Sequence, residues 1–194
     1  MRTLACDLDG VIFKFNDNYS NLIKRMTGID IPPETAHYPE TWYYEREAGV
    51  SKKQESEVWS YINGEGNYSF WRFLPAYDGA REFLEKAQQT FENVVFITAR
   101  SGPKVQQATE DALSVLGVKK PQVIIAHYKP PVMQELKVTD FLDDRDKNME
   151  DVRLFDMTAD EPINSKLWLL DRPWNRKFNP SYVTRVVSPM EVLA

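Results

Sequence analysis

Cysteine and histidine are scarce in this chain of 194 residues, and their scarcity removes two classes of site. The single cysteine, Cys6, excludes a disulfide framework within the chain. Its apolar neighbours indicate a small core residue and not a nucleophile. The two histidines, His37 and His127, have no partner at metal-ligand spacing, so a zinc site is not expected.

An excess of basic residues and long apolar runs are also lacking. Lysine and arginine total 24 against 29 acidic residues, and the net charge of −5 argues against a general nucleic-acid binder. No apolar stretch approaches the length of a membrane-spanning helix, and no signal peptide precedes the first predicted strand. We therefore expect a cytoplasmic protein that contacts no membrane. A general affinity for nucleic acid is not expected, although a local basic groove remains open.

The regular feature of the sequence is an alternation of short apolar runs with helical patterns. The apolar runs predict strands at about 2–7, 93–97, 122–126, 139–142, 166–170 and 182–187. Helical patterns occupy most of the chain between the later runs. This order is typical of an α/β fold, in which a parallel sheet is flanked by helices.

The segment that follows the first predicted strand differs from the rest because it is rich in aromatic residues and predicts no strand. Ser51 begins a capping-box pattern, and Asn16 or Asp17 is predicted to cap an earlier helix. We interpret the segment as a helical insertion into the sheet domain. The predicted domains are a small helical cap, 13–75, and a core formed by 1–12 and 76–194.

Two acids, Asp7 and Asp9, end the first predicted strand, and Gly10 breaks it. Residues i and i+2 of a strand point to the same side, so both carboxylates should project together while Leu8 points away. Facing carboxylates repel and need a cation or a shared proton, and oxygen-only ligation suits Mg²⁺. The structural alternative is a strand that runs into an Asp-Gly turn.

Polar side chains also follow the later strands. The residues after the second, third and fourth strands are Thr98 with Arg100, Lys129, and Asp143 with Asp144. Ligands of open α/β sheets bind outside the carboxyl ends of the strands, so these residues should meet the two N-terminal acids at one rim. Such a rim suits a phosphate ester with its metal ion, although each residue alone has an ordinary role, such as a helix cap.

These motifs together resemble the haloacid dehalogenase (HAD) superfamily of phosphotransferases. The matching segments are Asp7-Leu8-Asp9-Gly10-Val11, Thr98 after an apolar strand, a lysine, and Leu142-Asp143-Asp144-Arg145. The resemblance covers the whole chain. It implies a Rossmann-like HAD fold and phosphoryl transfer through an aspartyl-phosphate intermediate.

The same resemblance implies a role for each matching residue. Asp7 would be the nucleophile, and Asp9 would be first the general acid and then the general base. Mg²⁺ would be held by Asp7, the backbone carbonyl of Asp9 and Asp143, with Asp144 supporting. The implied phosphate-binding residues are Thr98, Ala99, Arg100 and Lys129. Lys129 is favoured over Lys137 as the phosphate lysine, because a strand-end loop can aim its side chain at the rim.

The predicted substrate follows from a narrower resemblance. Residues 68–75 and 169–175 resemble segments of the 5′(3′)-deoxyribonucleotidases, which implies a nucleoside or deoxynucleoside 5′-monophosphate. Trp71 is predicted to contact substrate, since aromatic faces stack on bases. The structural alternative is that Trp42, Trp59, Phe70 and Trp71 form the small core of the cap, and we expect most of them to do so, with one or two lining the pocket. The chain departs from that family where Thr98-Ala99-Arg100 replaces Thr-Ser-Pro. A phosphatase of nucleic-acid ends, a catalytically silent binding protein and a homodimer remain open.

Overall fold

The computed structural model describes residues 2–194, and a six-stranded sheet lies at its centre. The strands are β1 (Thr3–Cys6), β2 (Asn93–Thr98), β3 (Gln122–Ile125), β4 (Asp140–Asp143), β5 (Lys166–Leu170) and β6 (Thr184–Val186). The α-helices are α1 (Phe15–Thr27), α2 (Tyr44–Glu47), α3 (Lys52–Asn63), α4 (Asn67–Arg72), α5 (Ala80–Thr90), α6 (Val105–Val115), α7 (Pro130–Glu135) and α8 (Asp146–Thr158). None of the helices within residues 2–194 is long and apolar enough to cross a membrane.

The sheet is parallel throughout, in the order β3-β2-β1-β4-β5-β6. The predicted α/β fold, a Rossmann-like parallel sheet with helices, is therefore confirmed. The chain builds outward from β1 to β3 and then returns to place β4 on the other side of β1. This reversal leaves a crevice at the carboxyl end of β1, where ligands of such sheets bind.

The apolar run of β1 is continuous because both faces of the strand are covered. Leu4 and Cys6 pack into one buried cluster, and Ala5 packs into a second one on the opposite face. Cys6 is fully buried, as its apolar neighbours predicted, and burial raises the pKa of its thiol. Thus β1 places its last side chains at the crevice with little freedom to shift.

Helices α1 to α4 lie between β1 and α5, and within the described residues this segment adds no strand to the sheet. The predicted capping box is present, since the Ser51 hydroxyl accepts a hydrogen bond from the Gln54 amide at 3.3 Å. The predicted cap of α1 is wrong, because the helix begins at Phe15, ahead of Asn16 and Asp17. The Asp17 carboxylate instead accepts a hydrogen bond from the Glu34 amide at 2.7 Å, an interaction distant in sequence.

Helix α4 is attached to the loop after β2. The buried Asn67 side chain donates to the Ser101 carbonyl at 2.8 Å and accepts from the Lys104 amide at 2.8 Å. The Trp71 indole donates to the same Ser101 carbonyl at 3.1 Å. Gly102 permits this approach, because a Cβ there would lie 1.8 Å from the Asn67 amide nitrogen. The helical segment is thereby held against the rim that carries the candidate site.

Candidate active site

Lys129 lies between two acids at the carboxyl end of the sheet. Its Nζ donates to Asp143 Oδ2 at 2.7 Å and also to Asp7 Oδ1. Asp143 is held further by Asn148 Nδ2 at 2.8 Å and by the Arg145 amide at 2.8 Å. The lysine and both acids are buried, whereas the alternative lysine, Lys137, is exposed. The loop after β3 therefore aims a buried cation at the acids that follow β1 and end β4.

A third carboxyl group completes an acidic cluster. Asp7, Asp143 and Asp144 each offer one oxygen, and these atoms lie within 4.8 Å of one another. The Trp174 indole donates to Asp144 Oδ2 at 2.9 Å, which fixes that side chain. Gly10 packs against it in the left-handed region, at φ +81°, and a Cβ there would lie 2.2 Å from Asp144 Oδ2. Position 10 therefore requires glycine, because a side chain there would collide with Asp144. The Asp9-Gly10 turn thus leaves room for the third carboxyl group of the cluster.

Burial dominates the electrostatics of this cluster. It raises the pKa of Asp7 to about 7, with Asp143 and Asp9 adding to the rise and Lys129 opposing it. Burial also raises the pKa of Asp144. For Lys129 burial favours the neutral amine, but the charges of Asp143 and Asp7 outweigh it and raise its pKa. Lys129 thus pairs with two of the three buried carboxyl groups, Asp7 and Asp143, and a divalent cation would neutralise the excess negative charge of the cluster.

Without divalent metal, we expect the free energy of unfolding to fall as the pH rises from about 4 to about 7. The pKa of Asp7 in the folded state lies above its unfolded value of about 3.9, so the folded state binds more protons in this interval and loses stability as they dissociate. Urea titrations in EDTA across this interval measure the slope. Asp144→Asn should reduce it, because a second raised pKa is removed.

Asp171→Asn is the matched control for that measurement. Burial alone would raise the pKa of Asp171, but hydrogen bonds and charges of Arg176 and Arg185 outweigh it and lower that pKa. The contribution of Asp171 is therefore lost only at pH values below the interval, and its variant should leave the slope unchanged. An unchanged slope in Asp144→Asn would show that the raised pKa of Asp144 does not contribute to the pH dependence of the free energy of unfolding.

The second N-terminal acid, Asp9, has a different partner. Arg100 donates to both of its oxygens, from Nη2 at 2.7 Å and from Nε at 2.9 Å. Arg100 was predicted to pair with phosphate or with the cap. The structure pairs its guanidinium with Asp9 and places it 4.9 Å from the ring of Trp71 on α4. The resemblance assigned the backbone carbonyl of Asp9, and not its carboxylate, to the metal ion, with Asp144 in a supporting role. Among the described residues, the acidic cluster consists of the carboxyl groups of Asp7, Asp143 and Asp144.

A cavity of about 290 Å³ lies over these groups. Thr98, which is buried, and Ala99, which is exposed, line it beside Lys129. The predicted residues 7, 9, 98, 99, 100, 129, 143 and 144 therefore all border one space. Its volume is in the range of small-molecule pockets, which admit a substrate of limited size.

Aromatic side chains form part of the cavity lining. Phe15 is at the centre of this aromatic group, with its ring 5.3 Å from Tyr19, 6.0 Å from Trp71 and 6.1 Å from Trp59. Trp71, the predicted substrate contact, borders the cavity, but it is only 1% exposed and its indole donates to a backbone carbonyl. The aromatic side chains of the lining that are at least partly exposed include Phe15, Trp42, Tyr43, Trp59 and Trp174.

Sequence reasoning missed several residues that shape the site. Asn148 supports Asp143 from the first turn of α8, and Trp174 reaches Asp144 from a late 3₁₀ helix. Arg172 donates from Nε to the Gly10 carbonyl at 2.7 Å. The position of Asn148 five residues after Asp143 is a usable signal, because the start of a helix after a strand returns to the strand end. No local pattern reveals the other two contacts, since they join distant parts of the chain.

No protein-family model matches the chain, and no curated protein matches it by sequence. Solved structures do match. A HAD-superfamily hydrolase of subfamily IA from Geobacter sulfurreducens superposes with a TM-score of 0.61 at 16% identity, covering 100% of this chain and 97% of the other. The haloacid dehalogenase-like hydrolase SP0104 from Streptococcus pneumoniae gives 0.61 at 13% identity, with coverage of 100% and 97%.

A HAD phosphatase from Thermococcus onnurineus gives a TM-score of 0.54 at 14% identity, covering 99% of this chain and 96% of the other. These matches extend over nearly the whole length of both partners. They agree with the parallel sheet that the structure shows. The chain therefore has the fold of the haloacid dehalogenase superfamily hydrolases.

Proposed function

We propose that this protein is a Mg²⁺-dependent phosphatase that hydrolyses a phosphate monoester, with a nucleoside or deoxynucleoside 5′-monophosphate as the substrate. The observation that carries the proposal is the position of Lys129, which joins Asp7 to Asp143 at the carboxyl rim of a HAD-type sheet. A buried lysine beside a carboxylate nucleophile supplies the charge that a transferring phosphoryl group requires.

The proposed hydrolysis of the phosphate ester has two steps. A carboxylate oxygen of Asp7 attacks phosphorus, the ester P–O bond breaks, and the leaving oxygen takes a proton from Asp9. Water then loses a proton to the Asp9 carboxylate and attacks phosphorus, which releases inorganic phosphate and restores the Asp7 carboxylate. Lys129 neutralises phosphoryl oxygens during both steps, and carboxylates are known acceptors in such transfers.

The donor set fits a magnesium ion. Three carboxyl groups present oxygens within 4.8 Å of one another, and magnesium binds through a few carboxylates while it keeps several waters. Asp7, Asp143 and Asp144 would hold the ion. A bound ion would stabilise negative charge that develops on the phosphoryl group.

The substrate class rests on the aromatic side chains that line the same cavity as the acids. Base–aromatic stacking is sequence-tolerant and contributes about 1–3 kcal/mol per base. Phe15 and Trp59 both border the cavity, and their rings lie 6.1 Å apart and 21° from parallel, so they form one apolar surface. A phosphate held at Lys129 would place an attached nucleoside toward this surface.

We expect Trp59→Leu to raise KM for nucleoside monophosphates by about 5-fold to 150-fold, the factor that corresponds to one lost stacking contact. The KM for acetyl phosphate, which has no ring, should stay within about 2-fold because nothing stacks on Trp59. Trp168→Leu is the matched control, since Trp168 donates to Asp140 on a distant part of the sheet. Equal changes for both substrates would mean that Trp59 only packs.

Phosphate release from a substrate panel tests the proposed function. The panel contains 4-nitrophenyl phosphate, nucleoside 5′- and 3′-monophosphates, sugar phosphates and a 3′-phosphorylated oligonucleotide, each with Mg²⁺ and with EDTA. Mg²⁺-dependent release from nucleotides supports the proposal. Release from the oligonucleotide alone would establish a nucleic-acid-end phosphatase, and no release from any compound would indicate a silent binding protein.

A further inference from the structure

The guanidinium of Arg100 is held in place by several contacts, the first of which is with Asp9. Its side chain is fully buried, while that of Asp9 is 20% exposed. The two hydrogen bonds to Asp9 are parallel and measure 2.7 and 2.9 Å. This fork-to-fork contact restricts the carboxylate in both distance and plane.

Three further contacts fix the guanidinium itself. Nη1 donates to Thr109 Oγ1 at 3.0 Å, and this threonine is fully buried on α6. The Phe13 ring lies 5.1 Å from the guanidinium carbon on one side, and the Trp71 ring lies 4.9 Å away. Arg100 is therefore anchored by the sheet domain, by the chain entering α1 and by α4 of the helical segment.

We propose that Arg100 is a positioning residue that orients the Asp9 carboxylate for the hydrolysis of the aspartyl-phosphate intermediate. The inference rests on the proposed function. The bidentate contact engages each Asp9 oxygen on one side only, and a carboxylate oxygen has a second lone pair with which to accept a proton. In the step concerned, water transfers its proton to Asp9 and its oxygen bonds to phosphorus, while the bond from phosphorus to Asp7 breaks.

Only the second chemical step depends on this base when the leaving group needs no proton. With 4-nitrophenyl phosphate, the formation of the intermediate sets kcat/KM, and its hydrolysis then limits kcat. Loss of base positioning should therefore lower kcat and KM together and leave kcat/KM unchanged. A merely structural defect would instead lower kcat/KM, because it disturbs Asp7 and Lys129 as well.

The experiment is steady-state and burst kinetics of Arg100→Gln with 4-nitrophenyl phosphate and Mg²⁺. We expect kcat to fall by about 10-fold to 100-fold, kcat/KM to change by less than about 3-fold, and a burst of one nitrophenolate per enzyme to appear. Asp9→Asn should show the same pattern with a larger loss, and the double variant should lose no more than Asp9→Asn. Parallel losses of kcat and kcat/KM, or additive losses in the double variant, would overturn the proposal.

Two further variants keep the test decisive if Arg100→Gln folds poorly. Thr109→Val removes only the Nη1 anchor and should produce a weaker form of the same pattern. Arg2→Gln is the matched control, because Arg2 pairs with Asp140 at 3.4 Å and lies over the Phe91 ring at 4.5 Å, away from the cavity. A normal kcat in Thr109→Val would also count against the proposal. Absence of activity in the unmodified protein would instead reject the proposed phosphatase function.

Discussion

Replacement of Asp7 by asparagine is expected to lower turnover by about 10⁴-fold or more, since the amide cannot attack phosphorus. Asp7 borders the cavity, belongs to the acidic cluster and contacts Lys129, as Asp143 also does. The resemblance of the Asp7-Leu8-Asp9 motif is what assigns the nucleophile role to Asp7. The substitution is nearly isosteric, and it removes a buried carboxyl group whose pKa is raised. We therefore expect the variant to fold normally and to be at least as resistant to urea as the unmodified protein in EDTA.

Phosphate release with Mg²⁺ measures the first effect, and urea titration measures the second. Asp151→Asn is the matched control, because Asp151 pairs with Lys147 along an exposed face of α8 and should keep full activity. An Asp7→Asn protein that retains a tenth of the normal rate would remove Asp7 from the role of nucleophile. A variant that fails to fold would indicate that the main role of Asp7 is structural.

The second large effect is expected for Lys129→Met, which removes the cation that two buried carboxylates share. Breaking a buried ion pair from one side costs about 3–5 kcal/mol, because the remaining charge is left without a partner. Phosphoryl-group stabilisation is lost as well, so kcat should fall by about 100-fold to 1,000-fold. Both changes exceed what an exposed lysine would produce.

Urea titration in EDTA and phosphate release with Mg²⁺ provide the two measurements. Lys137→Met is the matched control, since Lys137 is exposed and lies two residues after the end of α7. It should change stability by less than about 0.5 kcal/mol, the usual range for surface substitutions, and should leave kcat unchanged. Comparable losses of stability and kcat in the two variants would show that the contact of Lys129 with Asp7 and Asp143 contributes no more than an exposed lysine does. Added Mg²⁺ should recover part of the stability of Lys129→Met, because the ion supplies positive charge to the same acids.

The central part of the sheet was predictable because β1 and β4 are buried along their whole length and most of β2 is buried. A buried parallel strand must be apolar along its whole length, so each strand leaves a short apolar run between helical patterns. Strand β2 shows this most clearly, since it was predicted at 93–97 and is observed at Asn93–Thr98. The start of α1 was predicted wrongly, because the Asp17 side chain that suggests a local cap bonds instead to Glu34.

The rim residues were predictable for a related reason. The carboxyl ends of parallel strands meet at one edge, so residues that follow different strands converge without any long-range information. Asp7, Lys129 and Asp143 follow this rule. Arg100 also lies at the rim, as the rule predicts, but its partner is Asp9. Whether the guanidinium binds phosphate or a carboxylate depends on its placement, which the Phe13 and Trp71 rings confine.

The sequence by itself determined the α/β class, the order of the strands along the chain and the acids at their carboxyl ends. Periodicity and strand ends are local properties, and the backbone geometry of a parallel sheet converts them directly into positions in space. Only the tertiary structure decided which side chains pair: Lys129 with Asp7 and Asp143, Arg100 with Asp9, and Trp174 with Asp144. Those pairings join elements distant in sequence, and they depend on packing distances of a few ångströms that no local pattern encodes.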